Sequence, residues 1–214
     1  GPHCAGTIAA VNNNGVGVSG VAGGTGNSDG VKIMSCQIFS RNSGGSSIQT
    51  ARAYKYAADN GAAVISCSCG YRAGVIKSDG TYKRECLAEY DALKYFEASK
   101  NNPVLDGGVA IFAAGNDATN YSAYPGALSD VISVSSFGPD YLPAYYTNYG
   151  PGCNIAAPGG EAYLNPWTST KGMVLSTLPS ELNDGSDYGY MQGTSMACPH
   201  VSGIAALGLS YAKK

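Results

Sequence analysis

The 214 residues carry 13 basic and 15 acidic side chains, a net charge of −2, and no block of lysine or arginine that could follow a phosphate backbone or an anionic membrane. No apolar run reaches the roughly 20 residues of a membrane-spanning helix, and the start lacks the charged and apolar regions of a signal peptide, so neither nucleic acid nor membrane insertion is expected. The length suits one domain with a sizeable core, and 30 glycines, 16 tyrosines and only 13% charged residues fit the loop-rich surface of a secreted or cell-envelope enzyme.

Gly1-Pro2 reads either as native sequence or as the scar of a cleaved tag. From His3 to Val11 the residues are mostly small or apolar and predict a buried helix, which Asn12-Asn13-Asn14-Gly15 stops. Gly17 to Gly23 leads towards a sheet, and Val31-Lys32-Ile33-Met34-Ser35-Cys36-Gln37-Ile38 predicts a strand. These glycines lack the strand-to-helix context of a nucleotide loop. After a flexible Gly44-Gly45-Ser46-Ser47, Ile48, Ala51, Tyr54, Ala57 and Ala58 recur at helical spacing, with Gly61 as the stop. Ala63 to Ser68 predicts a strand. Leu87, Tyr90, Leu93 and Phe96 mark another helix. Val109 to Ala114, Val131 to Val134 and Asn154 to Ala157 predict three more strands. Strands that alternate with helices and read as continuous apolar runs predict an α/β domain with a mostly parallel central sheet. Asp29-Gly30, Asp79-Gly80, Asp106-Gly107 and Asp184-Gly185 read as turns or loops. Seven cysteines, Cys4, Cys36, Cys67, Cys69, Cys86, Cys153 and Cys198, cannot all pair within the chain. Their surroundings favour buried small thiols over a disulfide framework, and Cys67-Ser68-Cys69 is not the Cys-x-x-Cys spacing of zinc or redox sites.

Gly193-Thr194-Ser195-Met196-Ala197-Cys198-Pro199-His200-Val201 mounts a serine at the start of a helix that runs through Ile204 and Leu207 to Tyr211. Apolar or small around its whole circumference, this helix is predicted to be buried, with Pro199 tolerated in the first turn. A hydroxyl there lies at the positive end of the helix dipole, beside free backbone N–H groups able to hold an oxyanion. That is the geometry of acyl transfer.

The nine-residue motif resembles the serine signature of the subtilisin-like serine peptidases, the subtilases. His3-Cys4-Ala5-Gly6-Thr7 resembles the end of their histidine motif, Val64 to Gly70 their substrate-binding strand, and Phe112-Ala113-Ala114-Gly115-Asn116 their oxyanion segment; Ala157-Pro158-Gly159 completes the series in family order. The resemblance implies a three-layer subtilisin-like fold, with Ser195 as nucleophile and Asn116 meeting the oxyanion together with the Ser195 N–H. It implies a pocket for the side chain before the scissile bond, walled by Ser68, Cys69 and Gly70 and by Ala113, Ala114 and Gly115, with Thr194 beside the serine. A backbone edge at Gly44-Gly45-Ser46 would pair with an extended polypeptide. The implied partners are polypeptide substrates and a pro-segment of its own. Walls of glycine and alanine without charge imply cleavage after apolar or aromatic residues. No cofactor is required and no catalytic metal is expected. A structural calcium near Asn13, in the loop from Asn12 to Val18, is implied by many family members, but an extra residue and a missing carboxylate favour an ordinary Asn-Gly turn.

The same resemblance implies that two catalytic partners are absent. In the motif His-Gly-Thr-His-x-Ala-Gly-Thr the first histidine takes the serine proton; aligning Ala5-Gly6-Thr7 puts His3 on the second and Pro2 on the threonine. His200 belongs to the serine motif, where it packs. The aspartate lies upstream of the histidine in the family, and no Asp-Gly pair here precedes His3. The expectation is one partial peptidase domain, residues 1–214, truncated at both ends and inactive alone. The alternative is a non-catalytic peptide-binding module that keeps fold and groove. An α/β-hydrolase esterase is disfavoured, since no Gly-x-Ser-x-Gly surrounds Ser195.

Overall fold

The computed structural model describes residues 1–39, 45–164, 167–168 and 170–212. In chain order the elements are α1 (Pro2–Ala9), α2 (Ser47–Asp59), β1 (Val64–Cys67), α3 (Asp79–Glu85), α4 (Leu87–Ala98), β2 (Val109–Ala113), β3 (Ile132–Phe137) and β4 (Ile155–Pro158). They continue with β5 (Tyr163–Leu164), β6 (Trp167–Thr168), β7 (Val174–Thr177), β8 (Tyr188–Met191) and α5 (Thr194–Ala212). β1 to β4 form one sheet in that order. All its pairings are parallel, with Val64 opposite Val109, Ile111 opposite Ile132 and Val134 opposite Ile155.

Alternation along the strands separates two cores. Ile65, Cys67, Ala110 and Phe112 pack on Tyr54, Ala57 and Ala58 of α2 and on Leu93 and Phe96 of α4. On the opposite face Ile111, Ala113, Val134 and Ala157 meet Ala197, Cys198 and Val201 of α5. A parallel sheet covered on both faces by helices is the three-layer α/β arrangement expected.

Several local expectations need correction. Residues 31–38 form no strand: Val31 N–H donates to Ala22 O at 2.9 Å, but among the described residues no strand pairs with the segment, and Ile33 and Met34 are exposed. Strand propensity without a neighbouring strand makes no sheet. Residues 20–22 do not lead into the sheet either. The N–H groups of Gly20, Val21 and Ala22 donate to the carbonyls of Ala10, Thr7 and Ile8 at 2.9, 2.9 and 2.8 Å, satisfying the end of α1. Asp79-Gly80 opens helix α3 instead of a turn, because the Ser78 hydroxyl accepts from Thr81 N–H as an N-cap. α4 departs from its apolar stripe only at the start: Leu93 and Phe96 are buried and Tyr90 packs on the same core, but Leu87 is exposed and Glu89 is buried. In α2 the Ser46 capping box holds the first turn, and Ile48 is exposed. The hairpin of β7 and β8 had no signal among the expected elements.

α5 is buried only in its first half. Thr194 and the run from Met196 to Gly203, His200 apart, are buried, whereas Ile204, Leu207 and Tyr211 are exposed. A 19-residue helix is about 28 Å long at 1.5 Å per residue, and it outruns strands of four to six residues.

α1 lies against α5 and β7, and the fit is tight at Gly6. The Ser176 hydroxyl donates to His3 O at 2.7 Å and the Thr177 hydroxyl to Pro2 O at 2.9 Å. A Cβ on Gly6 would strike both hydroxyl oxygens. Gly6→Ala should therefore lose about 1–3 kcal/mol to overpacking, against a helix-propensity gain of about 0.5–1 kcal/mol. The expected net result is a Tm lowered by a few degrees, at roughly 2–4 °C per kcal/mol; a raised Tm in calorimetry would mean that the hairpin yields.

Candidate active site

The backbone before α5 is glycine by necessity. Gly193 has φ 141°, a left-handed conformation that side chains resist, and its carbonyl accepts from Met196 and Ala197 N–H at 2.9 and 3.2 Å. Ser195 follows as the second helical residue, and no acceptor is found for its backbone N–H among the described residues. Its hydroxyl donates to Ser68 O at 2.9 Å, and the Ser68 hydroxyl donates back to Ser195 O at 2.8 Å. The second bond has a cause in the sequence. Pro199 is the sixth helical residue, not part of the first turn as expected, and its missing N–H leaves the Ser195 carbonyl four residues earlier without its intrahelical donor. Ser68 Oγ, with Cys4 Sγ at 3.5 Å, takes that place and ties β1's C-terminal end to the serine.

Asn116 is held from the same helix. Its Oδ1 accepts from Thr194 N–H at 2.8 Å and from the Thr194 hydroxyl at 2.9 Å, so Nδ2 is the end left to donate. Thr194 Oγ1 also accepts from Gly115 N–H at 3.2 Å. Gly115 has φ 107°, and a Cβ on it would run into Asn148.

Asn148 is a residue that the sequence did not mark. It is fully buried; its Nδ2 donates to Ala114 O at 2.9 Å, its Oδ1 accepts from Asp117 N–H at 2.9 Å, and its own N–H donates to Gly115 O at 3.0 Å. It therefore shapes the turn that carries Asn116. No local pattern distinguishes it from any loop asparagine.

Beside Ser195 a cavity of about 290 Å³ is lined by Ser68, Cys69, Gly70, Tyr71, Arg72, Ala113, Gly115, Asn116, Asp117, Ala123, Thr194 and Ser195. Ala114 is not on it: the residue is fully buried, with its carbonyl taken by Asn148 and by Ala123 N–H, because alternate residues at a strand end face opposite ways. Nor are the walls free of charge. Arg72 and Asp117 pair at 3.6 Å, an exposed pair of roughly 0–1 kcal/mol. Tyr71 is anchored from behind, its hydroxyl donating at 3.0 Å to Glu89, whose pKa is raised by burial. Gly44 lies outside the described residues. Gly45 and Ser46 do not line the cavity, and the Ser46 N–H is occupied by Gln49 Oε1 in the capping box.

Neither histidine reaches the serine hydroxyl. His3 Nε2 sits at 3.1 Å from Val174 O and 3.2 Å from Gly189 O, and His200 Nδ1 at 2.8 Å from Met196 O. Burial is the main cause lowering both pKa values. His3 Nδ1 is buried without a partner, so a second proton would find no acceptor. Folded-state values below the usual 6.5 mean a stability contribution present above that pH and lost as pH falls through the depressed values. The urea midpoint should hold at neutral pH and fall below about pH 6.5, the unfolding free energy dropping by at most about 1.4 kcal/mol per pH unit for each histidine. A midpoint unchanged down to pH 5 would contradict this.

In the loop after α1, Asn12 Oδ1 is buried without a partner, but Asn14 Oδ1 accepts from Val16 N–H at 3.0 Å. Among the described residues no three His, Cys, Asp or Glu side chains gather. One orphaned oxygen falls short of the roughly six to eight that calcium takes. The rest of a calcium shell would have to come from backbone carbonyls, and Asn13 at φ 58° marks a turn.

The subtilase (peptidase S8) family model matches residues 1–214. Thermitase of Thermoactinomyces vulgaris is 31% identical over 207 residues, covering 97% of this chain and 60% of that protein. The extracellular protease of Xanthomonas campestris pv. campestris is 32% identical over 215 residues, covering 99% and 33%. Among solved structures, a protease from Pseudoalteromonas arctica PAMC 21717 superposes with a TM-score of 0.67 at 32% identity, covering 96% of this chain and 56% of that one. The chain spans 31% of the length of the extracellular basic protease of Dichelobacter nodosus and 61% of that of subtilisin Savinase of Lederbergia lenta. With a serine on a helix N-terminus, an asparagine locked beside it and a family match along every residue, the chain belongs to the subtilase family.

Proposed function

We propose that the chain carries the nucleophile and oxyanion site of a secreted serine endopeptidase. The observation that carries the reading is the convergence of the Ser195 hydroxyl, the unengaged Ser195 N–H and the free end of Asn116 at one rim of a cavity. Ser195 Oγ attacks the scissile carbonyl carbon and its proton passes to a base. The carbonyl oxygen becomes an oxyanion between Asn116 Nδ2 and Ser195 N–H, and as the base returns the proton to the leaving nitrogen, collapse expels the amine and leaves an acyl-enzyme. The base must reach Ser195 Oγ, and neither His3 nor His200 does. A histidine and an aspartate supplied with the 214 residues complete the machinery. Relatives named as extracellular proteases support secretion, and among the described residues no helix is long and apolar enough to cross a membrane. A pro-segment is a further partner of the proposed enzyme.

The cavity takes the side chain that precedes the scissile bond, with Ser68, Cys69, Gly70, Ala113, Gly115 and Thr194 around it. Arg72 and Asp117 neutralise each other at its edge, so phenylalanine, tyrosine or leucine should be preferred there. A peptide-library profile of the protein with a working base tests this. A strong preference for lysine or arginine would sink the assignment and make Asp117 the selecting charge.

A further inference from the structure

Cys67 and Cys69 stand two residues apart at the end of β1, where alternate side chains share a face. Their sulfurs lie 3.2 Å from each other, and among the described residues no other two sulfurs are in hydrogen-bonding contact. Cys67 is buried within the sheet, opposite Phe112. Cys69 has left the strand, is half-buried and lines the cavity beside Ser195. Between them Ser68 is bonded twice to Ser195, and just beyond them Tyr71 N–H is bonded to Tyr124 O at 2.8 Å. The dithiol is thus set in a wall pinned at both sides.

We propose that Cys67 and Cys69 form a dithiol modification site in the cavity wall, closed to an intrachain disulfide by a small disulfide or a hydroperoxide, and that closure reshapes the cavity at Ser195. That cavity's role as a substrate pocket rests on the function proposed above. In closure one thiolate attacks a sulfur of the small disulfide and expels a thiolate. The second thiol then loses its proton and attacks the mixed disulfide, releasing the other half. Two protein thiols are oxidised, one disulfide is reduced to two thiols, and both protons end on the products. With a hydroperoxide the thiolate attacks the terminal oxygen, breaking the O–O bond and expelling an alkoxide that takes a proton to leave as the alcohol; the sulfenic acid formed then condenses with the second thiol, releasing water.

Geometry favours closure of this pair over any other. The Sγ atoms must approach from 3.2 Å to about 2.05 Å. Extended residues two apart have Cα atoms about 6.4–6.8 Å apart, at the upper edge of the disulfide range of about 4.4–6.8 Å. Cys67 is fixed by the parallel ladder, so the approach must come from Cys69 and draw the wall inward. The Tyr54 hydroxyl donates to Cys67 Sγ at 3.8 Å. Donation from Cys69 eases loss of the pair's first proton, held formally at Cys67, and the same coupling raises the second. The other thiols are placed differently: Cys4 contacts Ser68 and the Ser195 carbonyl, Cys198 the carbonyls of Ile111 and Cys67, and Cys86 the Tyr71 hydroxyl, while Cys153 is half-buried and Cys36 exposed.

The test needs no turnover, so its result is separate from the success of the peptidase assignment. The folded chain is treated with phenylarsine oxide, which bridges adjacent thiols, or with oxidised glutathione, and is then digested with trypsin without reduction. Between Lys55 and Arg72 the sequence holds these two cysteines and no other tryptic site. Expected are one arsenic per chain on that peptide, the loss of two hydrogens from it after glutathione treatment, and protection of both thiols from iodoacetamide. Cys69→Ser should abolish all three. Amide NMR of the oxidised chain should shift Ser68, Gly70 and Ser195, with reversal by a reducing agent. Glutathione confined to Cys36 or Cys4 with the peptide unmodified, or closure that leaves the Ser195 amide in place, would overturn the proposal.

Discussion

Incubated with an active-site-directed acylating ester, the 214-residue chain by itself is expected to show no burst at Ser195, although nucleophile and oxyanion donors are both present. The Ser195 proton is directed at the Ser68 carbonyl, which cannot accept it covalently, and both histidines are occupied elsewhere. Members of such a triad act as a unit. In the subtilisin series, a relative's measurement rather than one on this chain, loss of the histidine alone costs about a million-fold, nearly as much as losing all three. Adding a segment that carries the histidine and aspartate should restore acylation, and Ser195→Ala should abolish the restored activity. The substitution should lower stability only by the one lost hydrogen bond, about 0.5–1.5 kcal/mol. Stoichiometric, pH-dependent acylation of the isolated chain, abolished by His3→Ala, would make His3 the base. Failure of the complemented chain to turn over, with peptide binding intact, would leave a non-catalytic binding module.

Asn116 and Asn148 should separate into two phenotypes. Asn116→Ala removes the side-chain oxyanion donor, and the equivalent loss in a subtilisin costs about 2.7–4 kcal/mol, a 10²- to 10³-fold fall in kcat. It also removes the acceptor of the Thr194 N–H and hydroxyl, but Asn116 is exposed, so water can take its place and the effect on folding should be smaller. Asn148→Ala removes a fully buried side chain and leaves Asp117 N–H without its acceptor and Ala114 O with Ala123 N–H alone, at about 1–3 kcal/mol for the group left unsatisfied. Urea unfolding should show that loss directly, and kcat should fall with it as the Asn116 turn loosens. Equal stability losses in the two variants would mean that Asn148 does not support the turn.

The pattern of α2, α4 and the four sheet strands was legible in the sequence because helix and strand periods are local. The mounting of Ser195 was legible for a similar reason: a glycine, a small hydroxyl residue and an apolar run define a helix start within a few residues. Which face of a helix is buried is not a local property. The stripe of α4 holds at Leu93 and Phe96 but fails at Leu87, where burial selected Glu89, since Tyr71 supplies a hydroxyl for its carboxyl. Residues 31–38 have strand chemistry but, among the described residues, no strand beside them, so strand propensity came to nothing there. The second half of α5 is apolar and exposed because the four strands beneath it are short. Most of the site's support was invisible for the same reason. Pro199 announces a missing N–H, but that Ser68 replaces it from 127 positions away follows only when β1 and α5 pack on one sheet. Asn148 is an ordinary loop residue until folding brings it beneath Ala114 and Gly115. Local spacing determined the elements and the nucleophile's setting; tertiary packing decided which polar groups meet, because hydrogen bonds between distant segments depend on the partners that burial brings together.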